Sequence, residues 1–306
     1  MRIRHNRGCE KWITANTADL KGKRIAVFGS TGGIGRELCR YILRLGGELI
    51  LVNRNACKAE GLVGQLRKEF PAAPITGVTA DLEDIVSVEA ACRELLRLEV
   101  DAVIHNAGAY SIPRTRCSTG FDAVFQINFV SPYYITCRLA EHLAARRGRV
   151  VVVGSIAHNY AKTDPQDRTF ATRRQASLAY GNAKRHLMYA AYGWADKNPA
   201  VGMAVTHPGI TFTNITAHYP PWLFVLIKHP MKWLFMPPRK AALNIIAGLF
   251  TDTPPGTWIG PRLFNVWGLP RKKTLCTASQ EEQRAIIAYA ETLYETLADT
   301  YVAKKE

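Results

Sequence analysis

Tyr180 and Lys184 stand four residues apart in the run Tyr180-Gly-Asn-Ala-Lys184. On a helix that spacing sets both side chains on one face, one turn apart. A phenol titrates near ~10 by itself, and a neighbouring ammonium favours its ionised form, so such a pair can donate and accept a proton near neutrality. Two further polar groups follow apolar runs. Ser155 closes Val153-Gly154-Ser155, and Asn106-Ala107-Gly108 follows His105. In an open α/β sheet, ligands bind at the carboxyl ends of strands, where both of these groups fall.

A second constellation lies near the start of the chain. Gly29-Ser30-Thr31-Gly32-Gly33-Ile34-Gly35 sits between the apolar run at 24–28 and a segment of helical pattern. Glycines there let the backbone turn sharply and approach a pyrophosphate, and the free N–H groups of the following helix face the phosphates. Strand, loop and helix in this order predict a dinucleotide site, with Gly29, Ser30, Gly32, Gly33, Ile34 and Gly35 as contacts. The glycines satisfy both G-x-x-x-G-x-G and G-x-x-G-x-x-G, so the loop alone does not separate two branches of nucleotide-binding enzymes. The second apolar run ends Leu51-Val52-Asn53-Arg54. An acidic residue at this place would bind the adenosine ribose and repel a 2′-phosphate, whereas an arginine does the reverse. With no acidic competitor on the strand end, Arg54 predicts NADP(H) in preference to NAD(H). Ser30 and Arg36 are further candidates for the 2′-phosphate.

The elements that must hold these residues follow from the apolar pattern. Candidate strands are 24–28, 48–52, 74–78, 101–105, 149–153, 201–205 and 257–260. Segments of helical spacing begin near Ile34, Ala56, Ile85, Phe121, Ser177 and Arg239. Strands that are continuous Val/Ile/Leu runs are expected where helices cover both faces. The alternation predicts an α/β fold, a doubly wound parallel sheet of the Rossmann type with helices on both faces. No repeat or linker divides it, so residues 23–306 form one domain and 1–22 a loose basic arm.

Taken together, these residues resemble the short-chain dehydrogenase/reductase superfamily, over a span from about Lys23 to Leu269. The matching pieces are the loop 29–35, Asp81-Leu82, Asn106-Ala107-Gly108, Asn128, Ser155, Tyr180-x-x-x-Lys184, and Pro208-Gly209 followed by Thr213. The resemblance implies that Asp81 and Leu82 frame the adenine and that Asn106 steadies the central strand. It implies that Thr213, after Pro208 and Gly209, approaches the nicotinamide carboxamide, and that Lys184 binds the nicotinamide ribose. Ser155 would support the oxyanion, Tyr180 would exchange the proton, and Asn128 would hold a water linking Lys184 to solvent. The Asn-Ala-Gly tripeptide and Asn128 resemble the reductase branch more than the sugar epimerase and dehydratase branch. The 25-residue step from Ser155 to Tyr180 is similar to the retinol-dehydrogenase-like group, whose substrates are often lipophilic.

The expected activity is thus interconversion of an alcohol and a ketone or aldehyde. Rival readings are an NAD-using nucleotide-sugar epimerase or dehydratase and a non-catalytic NADPH-sensing regulator. The intact Asn128/Ser155/Tyr180/Lys184 set argues against a sensor, which needs no proton donor.

Composition narrows the setting. Of 306 residues 47% are apolar and 21% charged, the balance of a folded globular protein. No apolar stretch is long enough to span a bilayer, and the basic start lacks the apolar core of a secretory signal. Seven cysteines without a C-x-x-C pair fit a reducing cytosol. His105, His158, His186 and His207 share no compact ligand spacing with a carboxylate, so they read as structural and no metal is expected. The net charge is +15, and residues 154–240 carry eleven basic against three acidic side chains. No nucleic-acid-binding motif accompanies this excess, so a small-molecule substrate is the expected partner. Residues 219–236 mix Trp, Phe, Leu and Met with Lys228, His229 and Lys232 between paired prolines. They read as a buried helix pair, a contact between two copies of the chain, or a substrate lid at about 214–238 that meets a membrane interface.

Overall fold

The computed structural model describes residues 8–159, 167–169, 175–211, 235–275 and 278–302. Eight strands form one sheet: β1 (Arg24–Phe28), β2 (Glu48–Asn53), β3 (Ile75–Thr79), β4 (Ala102–His105), β5 (Arg149–Val153), β6 (Gly202–Thr206), β7 (Thr257–Leu263) and β8 (Trp267–Thr274). Their order is β3-β2-β1-β4-β5-β6-β7-β8. The first seven strands are parallel, and β8 runs antiparallel to β7. The expected doubly wound α/β fold is the one observed.

The two-residue period of each strand divides its side chains between two cores. Ala26, Phe28, Ile50 and Val52 turn to one face, under α4 (Ile85–Arg97), α5 (Ser131–Arg138), α6 (Ala140–Ala145), α7 (Ala176–Lys197) and α9 (Gln280–Tyr301). Ile25, Val27, Leu49 and Leu51 turn to the other, under α1 (Cys9–Asn16), α2 (Gly33–Arg44), α3 (Ala56–Glu69) and α8 (Pro238–Ile246). Each fully buried Leu, Ile or Phe of these layers contributes roughly 1.5–3 kcal/mol. Short polar side chains start several helices: Asn55 Oδ1 accepts from Lys58 N at 2.8 Å, and Asp84 Oδ1 from Val86 N at 3.0 Å.

Three elements lie beyond the pattern drawn from the sequence. The arm is docked from Gly8 onward rather than loose, because Cys9 and Ile13 of α1 are buried and Glu10 pairs with Arg44 and Arg239. β8 covers the edge of β7 and carries Pro270 and Arg271-Lys272-Lys273, the residues that protect an exposed edge. α9 packs on α7 and begins at Ser279, whose Oγ accepts from Glu282 N at 3.1 Å.

Candidate active site

At the carboxyl end of β1 the chain turns through Gly29 in the left-handed region, with φ +73°. A Cβ on Gly29 would come within 2.8 Å of Ala107 Cα, so the loop passes directly over the turn that follows β4. A Cβ on Gly35 would collide with the Gly29 carbonyl and lie 2.8 Å from Ser30 Cα. Only glycine permits these approaches. Helix α2 then starts at Gly32 with no side-chain cap, which leaves its first N–H groups directed at the groove. The groove encloses about 450 Å³ and runs from the adenosine end at Arg54, Asp81 and Leu82 to Asn106, Ala107 and Gly108. This cradle, closed to a Cβ at Gly29 and Gly35 and open to an anion, fits a dinucleotide.

Gly29, Gly32, Gly33, Ile34, Gly35 and Asn53 also line the groove. Ser30 does not. Its side chain is fully buried, and its Oγ accepts from Asn53 Nδ2 at 2.6 Å, while Asn53 Oδ1 accepts from Thr31 N at 3.2 Å. Ser30 therefore braces the loop from behind instead of meeting a phosphate. Arg36 is likewise engaged, donating to the Thr31 carbonyl and to Gln65. Asn106 Nδ2 donates to the Gly29 carbonyl at 3.0 Å, tying the ends of β4 and β1 together.

Arg54 has the acidic neighbour that the strand end alone does not reveal. Its Nη1 lies 2.7 Å from Glu83 Oε1 and 4.0 Å from Asp81 Oδ1. Glu83 and Lys58 both line the adenosine end, and neither stands out in the sequence. They arrive there because β3 is the sheet neighbour of β2 and Lys58 lies on the first turn of α3.

At the other end, Tyr180 and Lys184 lie on α7 beneath the end of β5. The Tyr180 hydroxyl stands beside Ser155, and its ring meets Tyr110 edge-on with centroids 5.3 Å apart. Lys184 Nζ donates to the Val153 carbonyl at 2.9 Å and stands 5.8 Å from the centre of the Tyr180 ring. Burial pushes the Tyr180 phenol up to about 12, although the neighbouring Ser155 hydroxyl pulls the other way. Burial lowers Lys184 to about 7. The ammonium was expected to bring the phenol toward neutrality, but loss of water around both groups dominates here.

Asn128 sits in a π-helical segment, Gln126–Val130, that interrupts the approach to α5. Its Nδ2 donates to the carbonyls of Ala109 at 2.7 Å and Val124 at 2.8 Å, and its Oδ1 accepts from Ala109 N at 3.3 Å. These bonds fasten the turn after Gly108. A Cβ on Gly108 would fall 2.9 Å from Asn128 Oδ1 and 3.6 Å from Lys184 Nζ, so the three groups converge on the groove's inner end.

The buried histidines are occupied separately. His105 Nε2 donates to Thr136 Oγ1, which itself donates to the Pro132 carbonyl, and burial lowers this imidazole to about 3. His158 Nδ1 meets the Ser155 carbonyl, His186 Nδ1 the Asn182 carbonyl and His207 Nε2 the Asn265 carbonyl. Pro208 and Gly209 follow β6 beside the β7–β8 hairpin and do not line the groove; a Cβ on Gly209, at φ +88°, would press the Val266 carbonyl at 2.7 Å. Thr213 and residues 214–234 of the expected lid lie outside the described residues.

A fold of this order and a glycine cradle at its first turn define a dinucleotide-binding protein, with a Ser/Tyr/Lys cluster beside the cradle. The model of the short chain dehydrogenase family matches residues 23–164. Mus musculus retinol dehydrogenase 14 is 30% identical over 214 residues, which cover 65% of this chain and 64% of that protein. The chain thus spans slightly less than two thirds of that relative. A Streptomyces antibioticus protein named "Probable oxidoreductase" is 32% identical over 205 residues, covering 65% of this chain and 68% of the relative. A crystal structure of an uncharacterized protein from Mycobacterium paratuberculosis shares the fold with a TM-score of 0.70, at 22% identity over 94% of this chain and 97% of that one. The chain belongs to the short-chain dehydrogenase/reductase superfamily, whose fold binds NAD(P).

Proposed function

We propose that this protein is an NADP(H)-dependent oxidoreductase that interconverts an alcohol and a ketone or aldehyde on a lipophilic substrate, with Tyr180 as proton donor and acceptor. The observation that carries this reading is the placement of Ser155 beside the Tyr180 hydroxyl, with Lys184 one helical turn further on and the glycine groove alongside. The bound nicotinamide supplies the hydride and, when oxidised, a positive charge. In carbonyl reduction, Ser155 Oγ donates a hydrogen bond to the substrate oxygen while the Tyr180 hydroxyl delivers the proton. Oxidation of an alcohol reverses these roles.

Lys184 would hold the nicotinamide ribose and return the proton to Tyr180. Its amine, lowered to about 7, exchanges protons readily near neutrality. The lone pair left on Asn128 Oδ1, facing Gly108 and Lys184, is the place for the water that connects this lysine to solvent. The lipophilic substrate is supported by the relative named for retinol. Residues 219–236 are proposed as its cover. The described cysteines are all free. Among the described residues no helix is long and apolar enough to cross a membrane.

The test is loss of NADPH absorbance by the purified protein across a panel of aldehydes, ketones and acyl thioesters of increasing chain length. Turnover that improves with chain or ring size for aldehydes and ketones supports the reading. No turnover with any of them in either direction contradicts it.

A further inference from the structure

The described surface carries four exposed large hydrophobic side chains, and three of them sit together. Leu263 is 51% exposed, Phe264 is 92% exposed and Ile210 is 37% exposed. Leu263 and Phe264 form the tip of the β7–β8 hairpin, and Ile210 N donates to the Val266 carbonyl at 3.3 Å in the same turn. Val266 N donates to the Leu263 carbonyl at 2.9 Å, closing a four-residue turn with Phe264 at φ +48° and Asn265 at φ +59°. Both central residues are left-handed, as in a type I′ turn, where Asn or Gly is favoured and a bulky aromatic is costly. Nothing in the core gains from Phe264, because its ring stands in solvent.

The charges around this tip have one sign. Residues 253–279 contain Arg262, Arg271, Lys272 and Lys273 and no acidic side chain. Arg262, Arg271 and Lys272 are exposed. Lys273 Nζ reaches forward to Asn265 Oδ1 at 2.9 Å and so places its ammonium at the turn. Three apolar side chains are too few for a stable protein partner, which buries about 1,000 Å² or more. They are enough for an interfacial anchor, in which a few rings and aliphatic chains enter the headgroup boundary and cations meet anionic lipid.

We propose that the β7–β8 hairpin tip docks on an anionic membrane, with Leu263, Phe264 and Ile210 entering the headgroup region and Arg262, Arg271, Lys272 and Lys273 facing the lipid charges. Position gives the contact a purpose. β7 is parallel to β6, so the tip stands at the carboxyl edge of the sheet, the edge that also carries Ser155. A substrate dissolved in the bilayer would then enter beside the loop after β6. That last step rests on the proposed lipophilic substrate; the docking itself does not.

The experiment is co-sedimentation of the full chain with phosphatidylcholine vesicles, with and without phosphatidylserine. The parent should bind the anionic vesicles and largely ignore the neutral ones. The double variant Leu263→Ser/Phe264→Ser should bind at least about tenfold more weakly. Arg271→Gln/Lys272→Gln should lose about fivefold per charge. A Phe264→Trp variant should gain fluorescence quenching by brominated lipid. Turnover of a short, water-soluble carbonyl should stay unchanged in both double variants, which separates this proposal from the catalytic one. A parent that ignores anionic vesicles, or a Leu263→Ser/Phe264→Ser variant that binds like the parent, overturns the proposal. So does light scattering that shows a dimer dispersed by the same variant, since the tip would then meet a second copy.

Discussion

Arg54 Nη1 lies 2.7 Å from Glu83 Oε1 across the mouth of the adenosine end of the groove, and the arginine side chain is 66% exposed. An exposed pair of this kind contributes about 0–1 kcal/mol, less than a charge-assisted contact to a phosphate. Arg54 can therefore exchange Glu83 for a 2′-phosphate at small cost. Arg54→Asp should weaken NADPH binding by about 2–5 kcal/mol and spare NADH. Glu83→Gln should tighten NADPH by up to about 1 kcal/mol and leave NADH unchanged. Fluorescence titration of both cofactors checks the pair of variants. Equal losses for NADPH and NADH in Arg54→Asp would show that this arginine does not read the phosphate.

Lys184 gives the cofactor-free protein a distinct dependence on pH. Its pKa falls from 10.5 to about 7 through burial, so between those values the unfolded chain binds more protons than the folded one. The lysine's penalty is therefore complete below about pH 7 and is relieved as pH rises toward ~10.5. The shift corresponds to at most on the order of 5 kcal/mol. Lys184→Met should gain stability over the parent near pH 6 and lose that advantage near pH 10, as read by urea unfolding. An advantage that is flat with pH would mean that Lys184 keeps its ordinary affinity for the proton.

Arg185, next in the chain to Lys184, points away from the groove into a buried pair. Its Nε and Nη2 donate to Glu282 on α9 at 2.6 and 2.7 Å, and its Nη1 donates to the His158 carbonyl at 2.9 Å. His158 N in turn donates to the Ser155 carbonyl at 3.1 Å. The pair thus ties the C-terminal helix to the turn that carries Ser155. Glu282→Ala strands a buried guanidinium and should destabilise by about 3–5 kcal/mol. Replacing both partners, Arg185→Met/Glu282→Leu, should recover most of that loss, and a double-mutant cycle measures the coupling. Additive losses would show that the two residues act independently.

The central strands and the Tyr180 helix were legible because their apolar runs and spacing record burial directly. Strand β8 was not, since an edge strand faces water and its Gly268, Pro270 and Arg271-Lys272-Lys273 erase the alternation. Helix α9 did leave a signal: Ser279 and Glu282 form the S-x-x-E start of a capping box, followed by apolar residues at helical spacing. Within the groove, residue type located the contacts but not the direction of each side chain. Ser30 turns inward because Asn53 needs an acceptor in a dry place. Glu83 lies 29 residues from Arg54 and meets it only through the pairing of β2 with β3. Asn128 was recognisable as a site residue, yet its three bonds to the backbone depend on a π-turn that no pattern announces.

The Tyr180 hydroxyl is proposed to carry the proton in a cofactor-dependent carbonyl reduction. The most direct measurement of this role pairs NADPH oxidation with NADPH binding in the parent and in Tyr180→Phe, using the best carbonyl of the panel. Losing only the hydroxyl should cut turnover by about 10²–10⁴-fold or more while the NADPH dissociation constant stays within about twofold. Turnover in Tyr180→Phe close to that of the parent, with NADPH still bound, would contradict the account.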